Sequence, residues 1–183
     1  YAKGLGIVCE LPAIRGAIRD TPPAVQLALD YLTRRSDVDA RRVEGVGVSL
    51  GAPFMIIAAA LDTRITRLWI VHGSGGAYAP IEHTLRRGIP WTPARVPVAA
   101  MVSVIAGGPA WAPERWVGRV APRPVVLIAA RDDERLPRQA IESLWRRIHE
   151  PRRLVWLTGG HVSGRSSDQV AELTMLVLEM AGE

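Results

Sequence analysis

A short apolar run, Val43–Val48, leads through Gly47-Val48-Ser49-Leu50-Gly51 directly into a second apolar run, Ala52–Leu61. The first has the length of a strand. The second is apolar on nearly every side, as a buried helix is. A buried strand passing without a linker into a buried helix is the unit of a parallel sheet covered on both faces. The rest of the chain repeats the alternation. Leu68–Val71, Val125–Ala130 (opened by Pro124) and Leu154–Leu157 read as strands, and so does Gly6–Glu10 between Gly6 and Pro12. Helices are predicted over Pro22–Arg35, with Thr21 as N-cap, over Arg138–His149, stopped by Pro151, and from Asp168 to Met180. The predicted fold is α/β, a doubly wound, mostly parallel sheet. At 183 residues the chain is long enough for one domain with its own core.

Residues 74–120 break this rhythm. They hold Trp91, Met101, Trp111 and Trp116, and no charged residue falls between Val96 and Pro113. That apolar length is at the lower edge for a membrane span, but Pro97, Gly108, Pro109 and Pro113 interrupt it. The segment reads as a cap inserted in a single domain, and membrane contact is not expected.

Composition excludes several classes. A hydrophobic share of 48% excludes a disordered chain, and a single Cys excludes a disulfide scaffold or a Cys-based zinc site. The net charge is +5, and among the basic residues only Lys3 is lysine. The arginine pairs (Arg34–Arg35, Arg41–Arg42, Arg86–Arg87, Arg146–Arg147, Arg152–Arg153) are scattered, not gathered into a stripe with aromatic platforms. No nucleic-acid partner is expected.

Gly47-Val48-Ser49-Leu50-Gly51 matches G-x-S-x-G in the setting that gives it meaning, a strand ahead and a helix behind. A serine on so sharp a turn is held in a strained backbone with its hydroxyl above the sheet. Side chains two positions to either side would collide, which accounts for both glycines. The Leu50 N–H, at the start of the helix, lies where an oxyanion could form. A glycine-rich turn with an idle serine is the bland alternative. A dinucleotide loop is disfavoured, because Leu50 occupies the place of its third glycine.

A serine needs a base, and the base needs an acid. Of His72, His83, His149 and His161, His149 is expected to face water and His83 lies in the cap. His72 opens His72-Gly73-Ser74-Gly75-Gly76 and reads as a strand-end turn. His161 follows the last strand and Thr158-Gly159-Gly160, at the edge where ligands gather in open parallel sheets. Arg131-Asp132-Asp133-Glu134 follows strand Val125–Ala130, and either aspartate could supply the acid. The chain order is Ser, Asp, His.

With these residues in view the sequence resembles the α/β-hydrolase superfamily, and within it the dienelactone-hydrolase and acetyl-esterase-like group. Asp39-Ala40-Arg41-Arg42-Val43 ahead of the serine motif, Pro122-Arg123-Pro124-Val125-Val126-Leu127-Ile128 ahead of Asp132-Asp133-Glu134-Arg135-Leu136-Pro137, and Gly159-Gly160-His161 carry the resemblance. It covers nearly the whole chain from Gly6. It implies Asp133, four before Pro137, as the acid, and a lid at 74–120. It also implies strands ahead of Gly6–Glu10 and a loop bearing a second oxyanion N–H, which are not found before Ser49. The chain therefore reads as a C-terminal portion or a reduced member.

The function expected is a serine hydrolase on carboxylic esters, with Ser49, Asp133 and His161 catalytic and Leu50 N–H holding the oxyanion. The partner is a small ester or acyl substrate, with Trp91, Met101 and Trp111 favouring an acyl or aromatic group. No metal or cofactor is implied. Thioesterase, acyltransferase and peptidase chemistry would use the same groups. An inactive, truncated binding module is the alternative from another class.

Overall fold

The computed structural model describes residues 6–76, 78–86, 88–105, 108–162 and 167–182. Four strands, β1 (Val43–Val48), β2 (Ile65–Val71), β3 (Val125–Ala130) and β4 (Arg152–Leu157), form one sheet in the order β1-β2-β3-β4. Every neighbouring pair is parallel. Helix α1 (Gly6–Leu32) precedes the sheet and α2 (Gly51–Leu61) joins β1 to β2. Between β2 and β3 lie α3 (Tyr78–Leu85), α4 (Thr92–Ile105), a 3-10 turn at Gly108–Trp111, α5 (Pro113–Trp116) and a second 3-10 turn at Val117–Val120. Helix α6 (Arg138–Trp145) joins β3 to β4, and α7 (Ser167–Ala181) follows β4.

Side chains in a strand alternate between faces, and here each face has its own core. Leu68 and Ile70 of β2 and Val125, Leu127 and Ala129 of β3 pack with Ile56, Ala58 and Ala59 of α2 and Ile141 and Leu144 of α6. Trp69 and Val71, with Val126 and Ile128, point the other way, onto Leu173, Leu176, Val177 and Met180 of α7. All six residues of β3 are buried, so the run Val-Val-Leu-Ile-Ala-Ala has no polar face. β1 is an edge strand, and its Val46 and Val48 remain partly exposed on the α7 side.

The strand expected at Gly6–Glu10 is instead the first part of α1. A short apolar run does not distinguish strand from buried helix by period alone. Thr21 lies inside α1 and does not cap it, and the helix continues through Pro22 and Pro23 to end at Leu32. It docks through Leu29 and Val25. Arg64 ties it down further, with Nη1 donating to Asp30 at 2.6 Å and Nη2 to Asp62 at 2.6 Å. The helix predicted to reach His149 closes at Trp145. Pro97, expected to interrupt, lies within α4.

The 74–120 segment divides in two. Val117 and Val120 are fully buried against α2 in the main core, whereas α3 and α4 pack on one another. The buried Arg95 guanidinium stitches that pair. It donates to Glu82 at 2.6 Å, to the carbonyls of Ile89 and Pro90 at 3.1 and 2.8 Å, and to Thr92 at 3.0 Å. Among the described residues no helix is long and apolar enough to cross a membrane.

Candidate active site

Each strand releases one side chain to a single cluster at its C-terminal end. Ser49 follows β1 immediately, His72 follows β2 immediately, Asp133 lies in the loop after β3 and His161 in the loop after β4. In a parallel sheet these ends share one edge, which is how residues far apart in the chain meet.

Ser49 has φ +50°, a left-handed backbone rarely held by a non-glycine residue. Its N–H is tied to the Val71 carbonyl at 2.8 Å, and its own carbonyl accepts from Ala52 N–H at 3.0 Å. The turn is thus anchored to β2 and to the first turn of α2. The two glycines of the motif differ in their role. A Cβ on Gly47 would lie 2.8 Å from both Ala52 Cα and Met55 Cβ, so helix and strand meet there with no room for a methyl. A Cβ on Gly51 would meet nothing within 4 Å. The collision expected on both sides of the serine exists on one.

Ser49 Oγ and His161 Nε2 are 2.7 Å apart. His161 Nδ1 and Asp133 Oδ2 are 2.8 Å apart. The three predicted side chains therefore form one continuous hydrogen-bonded chain, and the carboxylate that meets His161 is that of Asp133, not Asp132. His161 is buried and is delivered by Thr158-Gly159-Gly160, in which Gly159 has φ +95°. Its backbone N–H donates to Glu134 Oε2 at 2.9 Å. Asp133 and Glu134, two of the three carboxylates of the post-β3 loop, therefore hold the same residue, one by its ring and the other by its main chain.

Asp133 has only 2% of its side chain exposed. Burial by itself pushes its carboxyl upward, but four donors outweigh burial and hold it well below the usual carboxylate range. Oδ2 faces His161 and His72, and Oδ1 accepts from the Arg135 and Leu136 N–H groups at 2.9 and 2.8 Å. Glu134 is also lowered, first by the His161 N–H.

Leu50, the proposed oxyanion donor, is the N-cap of α2, and no acceptor is paired with its N–H among the described residues. Trp91 and Met101 are 69% and 54% exposed, and Trp111 is half-buried in the first 3-10 turn. The α3–α4 unit nonetheless reaches the post-β3 loop, because His83 Nε2 lies 2.9 Å from the Glu134 carbonyl oxygen. His149 is exposed, as expected.

In the sequence His72 reads as a strand-end turn residue. Its backbone does turn, at φ +49°, but its ring is buried and contacts Asp133 Oδ2 at 3.3 Å. Its placement just past a strand end was the available signal. His72, Asp133 and His161 also bring three ligand-type atoms within 4.8 Å of one another. The 2.8 Å between His161 Nδ1 and Asp133 is a hydrogen-bond distance, shorter than the ~3.3 Å between two ligands on one tetrahedral zinc.

No family profile and no curated protein matches the chain. Solved structures do. The α/β hydrolase GrgF from Penicillium sp. sh18 is 17% identical with a TM-score of 0.66, covering 90% of this chain and 71% of its own. Acetyl xylan esterase 1 from Thermoanaerobacterium sp. JW/SL YS485 is 18% identical with a TM-score of 0.56, covering 88% of this chain and 52% of its own. A puromycin-hydrolyzing peptidase of Mycobacterium tuberculosis is 18% identical with a TM-score of 0.62, covering 85% of this chain and 24% of its own. The chain has the α/β-hydrolase fold. It spans from about a quarter to under three quarters of the length of these proteins.

Proposed function

We propose that this chain is a serine hydrolase that cleaves carboxylic esters through an acyl-enzyme. The observation that carries the reading is the unbroken relay from Ser49 Oγ to His161 Nε2 at 2.7 Å and from His161 Nδ1 to Asp133 Oδ2 at 2.8 Å. Ser49 Oγ attacks the ester carbon while its proton passes to His161 Nε2. Asp133, kept ionised by its donors, fixes the Nδ1–H tautomer and stabilises the imidazolium. The Leu50 N–H receives the developing oxyanion. The imidazolium then protonates the departing alcohol oxygen, leaving Ser49 acylated. A water molecule attacks the acyl carbon as it gives a proton to His161, and the imidazolium returns that proton to Ser49 Oγ as the acyl–oxygen bond breaks and the acid leaves. The sequence of steps needs no metal or redox cofactor.

The α3–α4 unit, tied to the acid loop through His83, is read as a cap over this edge. Trp91, Met101 and Trp111 would there favour an acyl or aromatic group. The dienelactone-hydrolase and acetyl-esterase-like assignment rests on the sequence motifs. Esterase and peptidase both occur among the fold neighbours, so the fold leaves the leaving group open.

The test is labelling with a fluorophosphonate probe together with hydrolysis of p-nitrophenyl acetate. The expected result is stoichiometric labelling that is abolished by Ser49→Ala. Turnover that survives this substitution overturns the assignment, and a wild-type chain that takes no label is a binding module.

A further inference from the structure

Three of the four strand ends supply a side chain that the proposed mechanism uses, and the fourth, after β2, supplies His72. Its ring is 3% exposed and stands edge-on to that of His161, with centroids 5.1 Å apart and planes at 81°. Its Nδ1 lies 3.3 Å from Asp133 Oδ2, the same oxygen that faces His161 Nδ1. The ring is held in this direction by the backbone. At φ +49°, with the His72 N–H tied to the Ile128 carbonyl at 2.8 Å, the side chain turns inward over β3.

The same Nδ1 is also 3.3 Å from the backbone N of Val162. One nitrogen cannot serve both neighbours. With the proton on Nδ1 it donates to Asp133. With the proton on Nε2 it accepts from Val162, and its lone pair then faces a carboxylate. A hydrogen bond to an ionised acceptor is about twice as strong as one between neutral groups. Asp133 is the ionised partner and is nearly sealed from water, whereas Val162 is only half-buried. Donation to Asp133 therefore prevails.

We propose, on the serine-hydrolase reading above, that His72 is a positioning residue for Asp133, donating its Nδ1–H to Oδ2 and sharing the carboxylate with His161. Asp133 then orients His161 through an oxygen that both rings share. Among the described residues the charged groups facing the two rings are Asp133 and Glu134, both from the post-β3 loop, and Glu134 is itself paired with Arg135 at 3.6 Å.

Nitrogen NMR of the histidine rings at neutral pH reads the tautomers without any turnover, so it is independent of whether Ser49 proves reactive. The expected result is a proton on Nδ1 of both His72 and His161. A His72 ring protonated on Nε2 alone overturns the proposal. The second arm compares His72→Ala with His72→Asn, whose amide nitrogen falls near the Nδ1 position and whose backbone tolerates positive φ. In the Ala variant the low-pH limb of the fluorophosphonate labelling rate is expected to move up by ~0.5–1 pH unit, because an unshared carboxylate holds the His161 proton more tightly. The Asn variant is expected to restore the wild-type limb. A limb that stays in place in the Ala variant, or moves down, or moves equally in both, assigns His72 a purely structural role. Should the Ala variant not fold, the tautomer measurement and the Asn variant still decide.

Discussion

Gly47 and Gly51 flank Ser49 symmetrically in the chain but not in space. A methyl at 47 would press on the Ala52 backbone and on Met55, and neither can withdraw without parting β1 from α2. A methyl at 51 enters open space at the start of a helix. Gly47→Ala is therefore expected to cost ~1–3 kcal/mol by overpacking and to reduce Ser49 labelling by more than tenfold. Gly51→Ala should be neutral or stabilising by up to ~1 kcal/mol, as alanine replaces glycine in a helix. Urea midpoints and labelling rates of the two variants check this asymmetry, and equal penalties would contradict it. The same scale shows where sequence reading reached and where it stopped. Ser49 and His161 were legible because glycines and strand ends mark where a backbone must turn. Choosing Asp133 over Asp132 took a family resemblance, since charge pattern alone leaves the two equivalent. His72 was missed because its role depends on which way a ring points, and that is set by a φ of +49° that no spacing encodes.

At the scale of elements, the short apolar runs of the sheet read clearly and the first helix did not. β1 and β3 have the predicted boundaries because an apolar run between turn residues admits few other structures in a sheet. Ile7-Val8-Cys9 resembles a strand only when taken alone; in the structure it belongs to a 27-residue helix. Arg123, quoted within Pro122-Arg123-Pro124, shows what an element end can require. Its guanidinium donates to the carbonyls of Ala59 at 2.7 Å, Asp62 at 3.0 Å, Ile65 at 2.7 Å and Val120 at 3.1 Å. It thus closes the C-terminal end of α2, where carbonyls lack helical partners, and joins it to the start of β2 and to the turn ahead of β3. Burial pushes the guanidinium's pKa down, yet it remains charged, as arginine does throughout the accessible range. Arg123→Lys keeps the charge but loses the fork, leaving at least two buried acceptors without a donor. The expected cost is ~2–4 kcal/mol in urea unfolding, at about 1–3 per orphaned group with partial relaxation. A lysine variant as stable as the wild type would show that the fork is dispensable.

Across the whole molecule the arginine excess resolves into pairing. Arg67, Arg119, Arg138 and Arg152 lie over Trp69, Trp116, Trp156 and Trp145, with guanidinium carbons 4.3–5.6 Å from the ring centroids. Arg64 fastens α1 by bridging its Asp30 to Asp62, and Arg95 fastens the α3–α4 unit through Glu82. Three buried or partly buried carboxylates are drawn down. Asp62 is lowered mainly by the Arg64 side chain, Glu82 by Arg95 and Arg86, and Asp133 by its histidine and main-chain donors against the opposing effect of burial. A group lowered on folding leaves the native state binding fewer protons than the unfolded chain between the two values. Its contribution is therefore complete above the unfolded values, ~3.9 for Asp and ~4.3 for Glu, and is lost as pH falls through them toward the folded values. Exposed pairs add little to this, so Asp133 and Asp62, with side chains 2% and 10% exposed, should dominate. The urea midpoint is expected to be level from neutral pH to ~5 and to fall steeply below it. Asp133→Asn should start from a lower midpoint at neutral pH and descend less steeply in acid, because the variant has no proton to take up at that site. A descent as steep as that of the wild type would place the acid sensitivity elsewhere and remove Asp133 from the groups that couple this fold to pH.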